Sequence, residues 1–347
     1  MDFGQALIRQ LAIHKVGNKQ ADATLLLSGK NVELKDDTLL QLLSQYFLSS
    51  FKTEEFFHFF HENSLQFNEV YQYVKNIFDD SATFHENSRH IARHLYERSA
   101  HPKINPGELY VAFFEKTVLD GVERDAVGIF KSESRESYLK VYPRGDDYEV
   151  DYDEGINIHK LDKGCVVFRT EEEAGYRLCI VDNVNRSMEA QYWRDEFLKV
   201  RQVEDPYYQT EQYLKMTRQY ITKELPSQYE VSAADKADLL NRSIRYFREQ
   251  ESFDLNDFAR QVIGQEDMAQ SFRDYKRDYE ADAGASLAED FQIHAQAVKK
   301  QSRVYKSILK LDRNFHIYIH GNKDMIERGY DEASGLHYYK VYFKEEA

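Results

Sequence analysis

The hydrophobic period of this chain changes twice, and the changes constrain its fold more than anything else in the sequence. Beyond residues 106–107 apolar and polar residues alternate through GELYVAFFEKTVLDG, ERDAVGIFKSE, SYLKVYPRG, DYEVDYDEG, INIHKLDKGCVVFRT and YRLCIVDNV, with turn residues between the segments. A period of two sends successive side chains to opposite faces, which predicts a succession of strands in a mostly antiparallel meander. From Met188 onward apolar residues stand three and four apart over 190–200, 208–225, 232–249, 255–263, 267–280 and 291–305, which predicts helices. Pro206 and Pro226 mark breaks, and Ser232 and Asp254 are suited to cap helix N-termini.

Upstream of the meander, 7–17 and 23–34 read as two short strands, and 56–60 as an aromatic turn. Asp36 or Asp37 can cap a helix carrying Leu39, Leu42, Leu43, Tyr46 and Phe47, and further helices are predicted over 68–78 and 85–98. The chain closes with two strands, 307–321 and 335–343. The expected class is α+β. A mixed unit over 1–200, with helices on a largely antiparallel sheet, precedes a helical unit over 201–347 that ends in a short β element. A chain of 347 residues exceeds what one ordinary core supports, so two packed units are expected.

The N-terminus lacks the basic start and long apolar segment of a secretory signal, and no run reaches the length of a membrane span. Cys165 and Cys179 form no disulfide framework; they are expected to be small buried apolar side chains in a reducing cytoplasm.

The formal net charge is −14, yet the stretch 296–323 carries Lys299, Lys300, Arg303, Lys306, Lys310, Arg313 and Lys323 against one acid, Asp312. Such a strip can neutralise phosphates and release condensed counterions. The competing reading is a solvated helix face. Lys299, Arg303, Lys306 and Lys310 are spaced four, three and four apart, so a continuous helix would align them in one row. Arg242, Arg245 and Arg248 form a second basic stripe, with Arg242 and Arg245 as helpers to the first; salt bridges to nearby acids are the alternative. Long-range repulsion between an anionic protein and DNA is screened beyond roughly 8 Å at physiological salt, so a local patch can still bind.

Other constellations are weaker. The helices over 255–263 and 267–280, with Gly264 between them, have the outline of a helix-turn-helix, but Glu266, Asp267, Asp274, Asp278 and Glu280 share the second helix with Arg273, Lys276 and Arg277. His90 and His94 stand four apart and make half of a metal site without a third ligand. Asp22, Glu33 and Lys35 have the residue types of a nuclease triad, a signal diluted by the 60 acids and 46 bases of the chain. No phosphate-cradling glycine loop, nucleophile elbow or paired-cysteine zinc motif occurs. No catalytic residue, metal or cofactor is implied.

The order of local patterns resembles the bacterial nucleoid-associated protein family of the NdpA (YejK) type. The resemblance rests on IHKV (13–16) followed by TLLLS, then FHENSRHIARHLYE leading into PGELYVAFF, then AVGIFK, FDLNDFARQVIGQEDMAQSFRDY and IERGYDEASGLHYYKVYF. It runs nearly end to end, and its specificity lies in order and spacing rather than in one motif. It implies a cytoplasmic, nucleoid-associated, DNA-binding protein and carries over no functional residues. Lys299, Lys300, Arg303, Lys306 and Lys310, with Arg242 and Arg245, are therefore expected from charge alone as phosphate contacts of a non-enzymatic protein. Single-stranded DNA, duplex DNA and RNA stay open as partners. So do other nucleoid proteins and a second copy of the chain, which an exposed edge strand could pair with. Two further classes stay open: an acidic protein-interaction scaffold and a metal-dependent nuclease.

Overall fold

The alternating segments assemble as antiparallel strands. The computed structural model describes residues 1–345 apart from 22, 53, 103, 185–191, 284–285, 306–307, 312–314 and 319–324. It divides into two compact units, Met1–Val203 and Glu204–Ala347. The class is α+β.

The first unit contains β1 (Leu7–Val16), α1 (Asp37–Leu48), β2 (Phe56–Phe59), α2 (Glu69–Asp79), α3 (Phe84–Arg98), β3 (Gly107–Leu119) and β4 (Val122–Ser132). β5 (Glu136–Arg144), β6 (Asp147–Gly155), β7 (Lys163–Phe168), β8 (Arg177–Asp182) and β9 (Val200–Gln202) follow. Seven strands form one sheet in the order β1-β3-β4-β7-β8-β2-β9, and every neighbouring pair is antiparallel. Alternation gives the sheet two apolar faces. Ala12, Val16, Val111, Val127, Ile129, Cys165 and Val167 pack under α2 and α3. Leu11, Ala112, Phe114, Phe130, Val166, Phe168 and Cys179 pack with Tyr46, Phe47 and Leu48 of α1. The two cysteines are buried and free, on opposite faces of the sheet. Burial pushes both thiols up. Asp36 caps α1 by accepting from the Leu39 N–H at 2.8 Å.

Three expectations change here. The segment 23–34 does not form a strand; it meets β1 through the isolated bridge between Lys15 and Leu26 and lies along that edge. Its run of three leucines breaks the alternation a half-buried strand requires. The supposed aromatic turn is β2, whose Phe57 and Phe59 enter one core and Phe56 the other; four residues are too few to show a period. β5 and β6 leave the meander as a separate two-stranded ribbon, exposed along most of its length.

A buried ionic cluster closes one end of the sheet. Lys131 on β4 and Lys163 on β7 stand opposite each other, and both side chains are fully buried. Lys131 Nζ donates to Asn105 O at 2.7 Å and Glu133 Oε1 at 2.9 Å, while Lys163 Nζ reaches Asp182 at 2.8 and 2.9 Å. The Tyr192 ring has its centre 5.9 Å from Lys131 Nζ and 5.4 Å from Lys163 Nζ. It is carried by the π-helical segment Tyr192–Leu198, where a longer helix was expected. Asp162 accepts from the Glu133 and Ser134 N–H groups at 2.6 and 2.8 Å. These charges neutralise one another in place, as buried charges must.

The second unit contains α4 (Pro206–Gln219), α5 (Leu225–Gln228), α6 (Ala233–Glu249), β10 (Ser252–Asp254), α7 (Leu255–Phe258), α8 (Glu266–Ala283), β11 (Asp290–Gln292) and α9 (Ala295–Ser302). β12 (Ile308–Leu311), β13 (Phe315–Tyr318), β14 (Ile326–Asp331) and β15 (Leu336–Val341) complete it as two hairpins. The expected two closing strands are therefore four. The helix expected over 291–305 begins only at Ala295, because the chain first pairs as β11 with β10. Asp205, Ser232 and Asp254 cap α4, α6 and α7, Ser232 through a reciprocal capping box with Asp235. An aromatic core of Tyr213, Tyr220, Phe247, Phe253, Phe258 and Phe272 joins these helices.

Candidate nucleic-acid interface

α9 is short and amphipathic. Ala297, Val298 and Gln301 are buried against the unit's core, which leaves Lys299 and Lys300 on the outer side. Arg303 follows as the C-terminal cap, one turn beyond Lys299 and on its side of the helix. Lys299 and Arg303 are exposed, and neither enters an ion pair among the described residues. Cations here also suit the negative end of the helix dipole.

Lys300 is held differently. Its Nζ lies 2.9 Å from Glu211 Oε1 and 5.5 Å from the centre of the Tyr207 ring. Glu211 is 2% exposed and also bonds Lys215 at 3.0 Å and the Gln301 amide at 3.0 Å. Burial raises the Glu211 carboxyl, but Lys215 and Lys300 outweigh it and hold the group below its usual range. One buried carboxylate is thus shared by two lysines, and the trio keeps a single net positive charge.

The helical row does not continue to Lys310. α9 ends at Ser302, and Lys310 belongs to β12 rather than to a continuation of that helix. Lys306, Arg313 and Lys323 lie outside the described residues. On α6, Leu239, Leu240, Ile244 and Phe247 face the core, while Arg245 and Arg248 are exposed and join no ion pair among the described residues. Arg242 is half-buried and is engaged by Asp238, 3.0 Å away. α6 and α9 pack against each other. The structure thus leaves exposed cations on two adjoining helices and commits Lys300 and Arg242 to internal carboxylates.

The remaining constellations separate. On α8, Arg273 lies 3.4 Å from Glu266, Arg277 is paired with Asp274, and Lys276 is buried against Glu280 at 2.9 Å. The acids on this helix therefore take up its cations. His90 stacks on Tyr73 and lies 3.8 Å from Glu86, whereas His94 is buried, 3.2 Å from Phe197 O. Glu33 is engaged by Lys35 at 2.6 Å and Lys30 at 3.5 Å on the surface, and Asp22 lies outside the described residues. No group of three metal-ligating side chains occurs among the described residues. No helix among them is long and apolar enough to cross a membrane.

Fold and surface together define an α+β protein of two units, one built on a seven-stranded antiparallel sheet and one helical with terminal hairpins. Nearly the whole of it, residues 12–334, matches the family model described as nucleoid-associated protein YejK. The chain belongs to that family, and its role is nucleoid-associated. A search of curated proteins gave no significant match.

Proposed function

We propose that this protein binds DNA without catalysis, chiefly through backbone phosphates and without strong sequence preference, in the cytoplasm at the nucleoid. The observation that carries the reading is the pair Lys299 and Arg303, exposed and outside any ion pair among the described residues of a chain whose net charge is −14. Arg245 and Arg248 on the adjoining α6 widen the surface. Lys300 contributes through the surplus charge it shares with Lys215 around Glu211. Phosphate contacts position a protein on a duplex and carry no base information, which fits the self-paired cations of α8.

The test is charge reversal. Lys299→Glu with Arg303→Glu lowers affinity for a fluorescein-labelled duplex at least tenfold at 100 mM salt, by fluorescence anisotropy. Unchanged affinity sinks the assignment of the site. The strongly acidic surface supports a second reading, an interaction scaffold for other nucleoid proteins, for which DNA affinity is negligible at every salt concentration. Incubation of the duplex with Mg²⁺ and protein, followed by a search for cleaved strands, tests the absence of nuclease activity.

A further inference from the structure

His85, Arg89 and Arg93 repeat every four residues along α3, so one line of this helix carries an imidazole and two guanidinium groups. α3 packs on β1, the edge strand of the large sheet. Where they meet, His14 of β1 lies beneath the line, with its ring centroid 6.3 Å from that of His85. Its hydrogen bonds fix its state. The Ser28 N–H donates to His14 Nδ1 at 3.1 Å, so Nε2 carries the proton and donates to Ser88 Oγ at 3.0 Å. The Ser88 hydroxyl in turn donates to His85 O at 2.7 Å. His14 is therefore neutral. Burial, then the charges of His85, Arg89 and Arg93, hold its imidazole down to about 4.

The positive groups above it are not balanced in the same way. Arg9, Lys19, Lys75, Arg98, Arg135 and Arg177 of this unit each reach a carboxylate. Among the described residues Arg89, Arg93 and His85 reach none. Arg89 Nε is buried and lacks a hydrogen-bond partner. Ser28 Oγ, 3.4 Å from His85 Nε2, adds a hydroxyl at one end of the line.

We propose that His85, Arg89, Arg93 and the Ser28 hydroxyl form a second phosphate-binding line, in the first unit, that takes the sugar–phosphate backbone of a nucleic acid. Eight residues of helix separate His85 from Arg93, about 12 Å, which exceeds the span of a single phosphate group. Arg93 is exposed and Arg89 and His85 are half-buried, an open rail rather than an enclosed pocket. A linear polyanion fits it better than a free phosphate. The choice of nucleic acid rests on the reading above, but the site does not use Lys299 or Arg303.

The test uses the full chain and a fluorescein-labelled 20-base-pair duplex, titrated by anisotropy between 50 and 200 mM KCl. Arg89→Gln with Arg93→Gln makes the plot of log affinity against log salt shallower by about 1.8, two contacts at 0.9 each. Arg93→Gln alone, at an exposed position, makes it shallower by about 0.9 and serves if the double variant does not fold. Added duplex also shifts the His85 ring signals in the NMR spectrum, in the parent chain and in Lys299→Gln/Arg303→Gln alike. Parent slopes in both α3 variants overturn the proposal, even where Lys299→Gln/Arg303→Gln weakens binding and so upholds the other site. If inorganic phosphate saturates the His85 shift and duplex does not displace it, the site is one for small phosphates and the nucleic-acid assignment is overturned.

Discussion

Glu133→Gln is expected to destabilise the first unit severely at neutral pH and much less in mild alkali. Lys131 is fully buried and Glu133 is 1% exposed at its side chain, with 2.9 Å between ammonium and carboxylate. The substitution removes the carboxylate charge and leaves a buried ammonium with only neutral acceptors in hydrogen-bond reach, the new amide oxygen, Asn105 O at 2.7 Å and the Tyr192 hydroxyl at 3.5 Å. Removing one member of such a pair costs about 3–5 kcal/mol. Loss of the Lys131 proton limits the damage. Burial already draws that lysine below its ordinary range, partly offset by Glu133 itself. Because a buried pair roughly breaks even against a neutral replacement, deprotonation sets a ceiling of about 1.4 kcal/mol per pH unit below the unfolded lysine value of about 10.4. That ceiling is about 4.6 kcal/mol at pH 7 and about 2 kcal/mol at pH 9. Trp193, the single tryptophan, is buried in the core of this unit and beside Tyr192, so its fluorescence reports this unit's unfolding in urea. With an m-value of about 2–3 kcal/mol/M, the midpoint falls by about 1–2 M at pH 7. Lys131→Met together with Glu133→Gln recovers most of the loss. A cost below about 1 kcal/mol at pH 7, or one that stays the same at pH 9, refutes the reasoning.

Further predictions rest on separate parts of the molecule. His14 has its folded-state value depressed to about 4 from 6.5, so the unfolded chain takes up its proton first. Its contribution is complete above about pH 6.5 and is lost as pH falls toward 4; in His14→Asn the acid side of the Trp193 urea-midpoint profile flattens over that window. Ser232→Ala removes the side-chain half of the capping box on α6, leaving the backbone N–H of residue 232 on Asp235, and lowers the stability of the second unit by about 1 kcal/mol, seen as a shift in the helical circular-dichroism transition. Arg273→Gln with Arg277→Gln leaves duplex affinity within twofold, since both guanidinium groups are already taken by Glu266 and Asp274; a tenfold loss revives the helix-turn-helix.

Much of the architecture could be read from periodicity because alternation and caps are local. Ser232, Asp254 and Asp36 announced helix starts with the side-chain chemistry they use, and the strands over 107–182 follow the pattern of their residues. What was hidden depends on partners distant in sequence. Phe56 and Phe57 make a strand only because β8 and β9 flank them. Alternation puts Lys131 on the side of Ile129, but its burial needs Tyr192, about sixty residues on. The site was legible only in part. Lys299 and Arg303 keep their exposure, while Lys300 and Arg242 look the same in sequence and differ because Glu211 and Asp238 reach them. The line on α3 was not legible in the sequence, because only the packing of β1 beneath it separates that face from the one bearing His90.

The central claim, that a cationic face of the second unit holds phosphates despite the negative charge of the whole, is tested most directly by duplex affinity as a function of salt in the parent chain and in Lys299→Gln/Arg303→Gln. The account predicts a linear fall of log affinity with log salt that becomes shallower by about 1.8 in the variant. Coincident slopes for the two proteins, or affinity that does not respond to salt at all, contradict it.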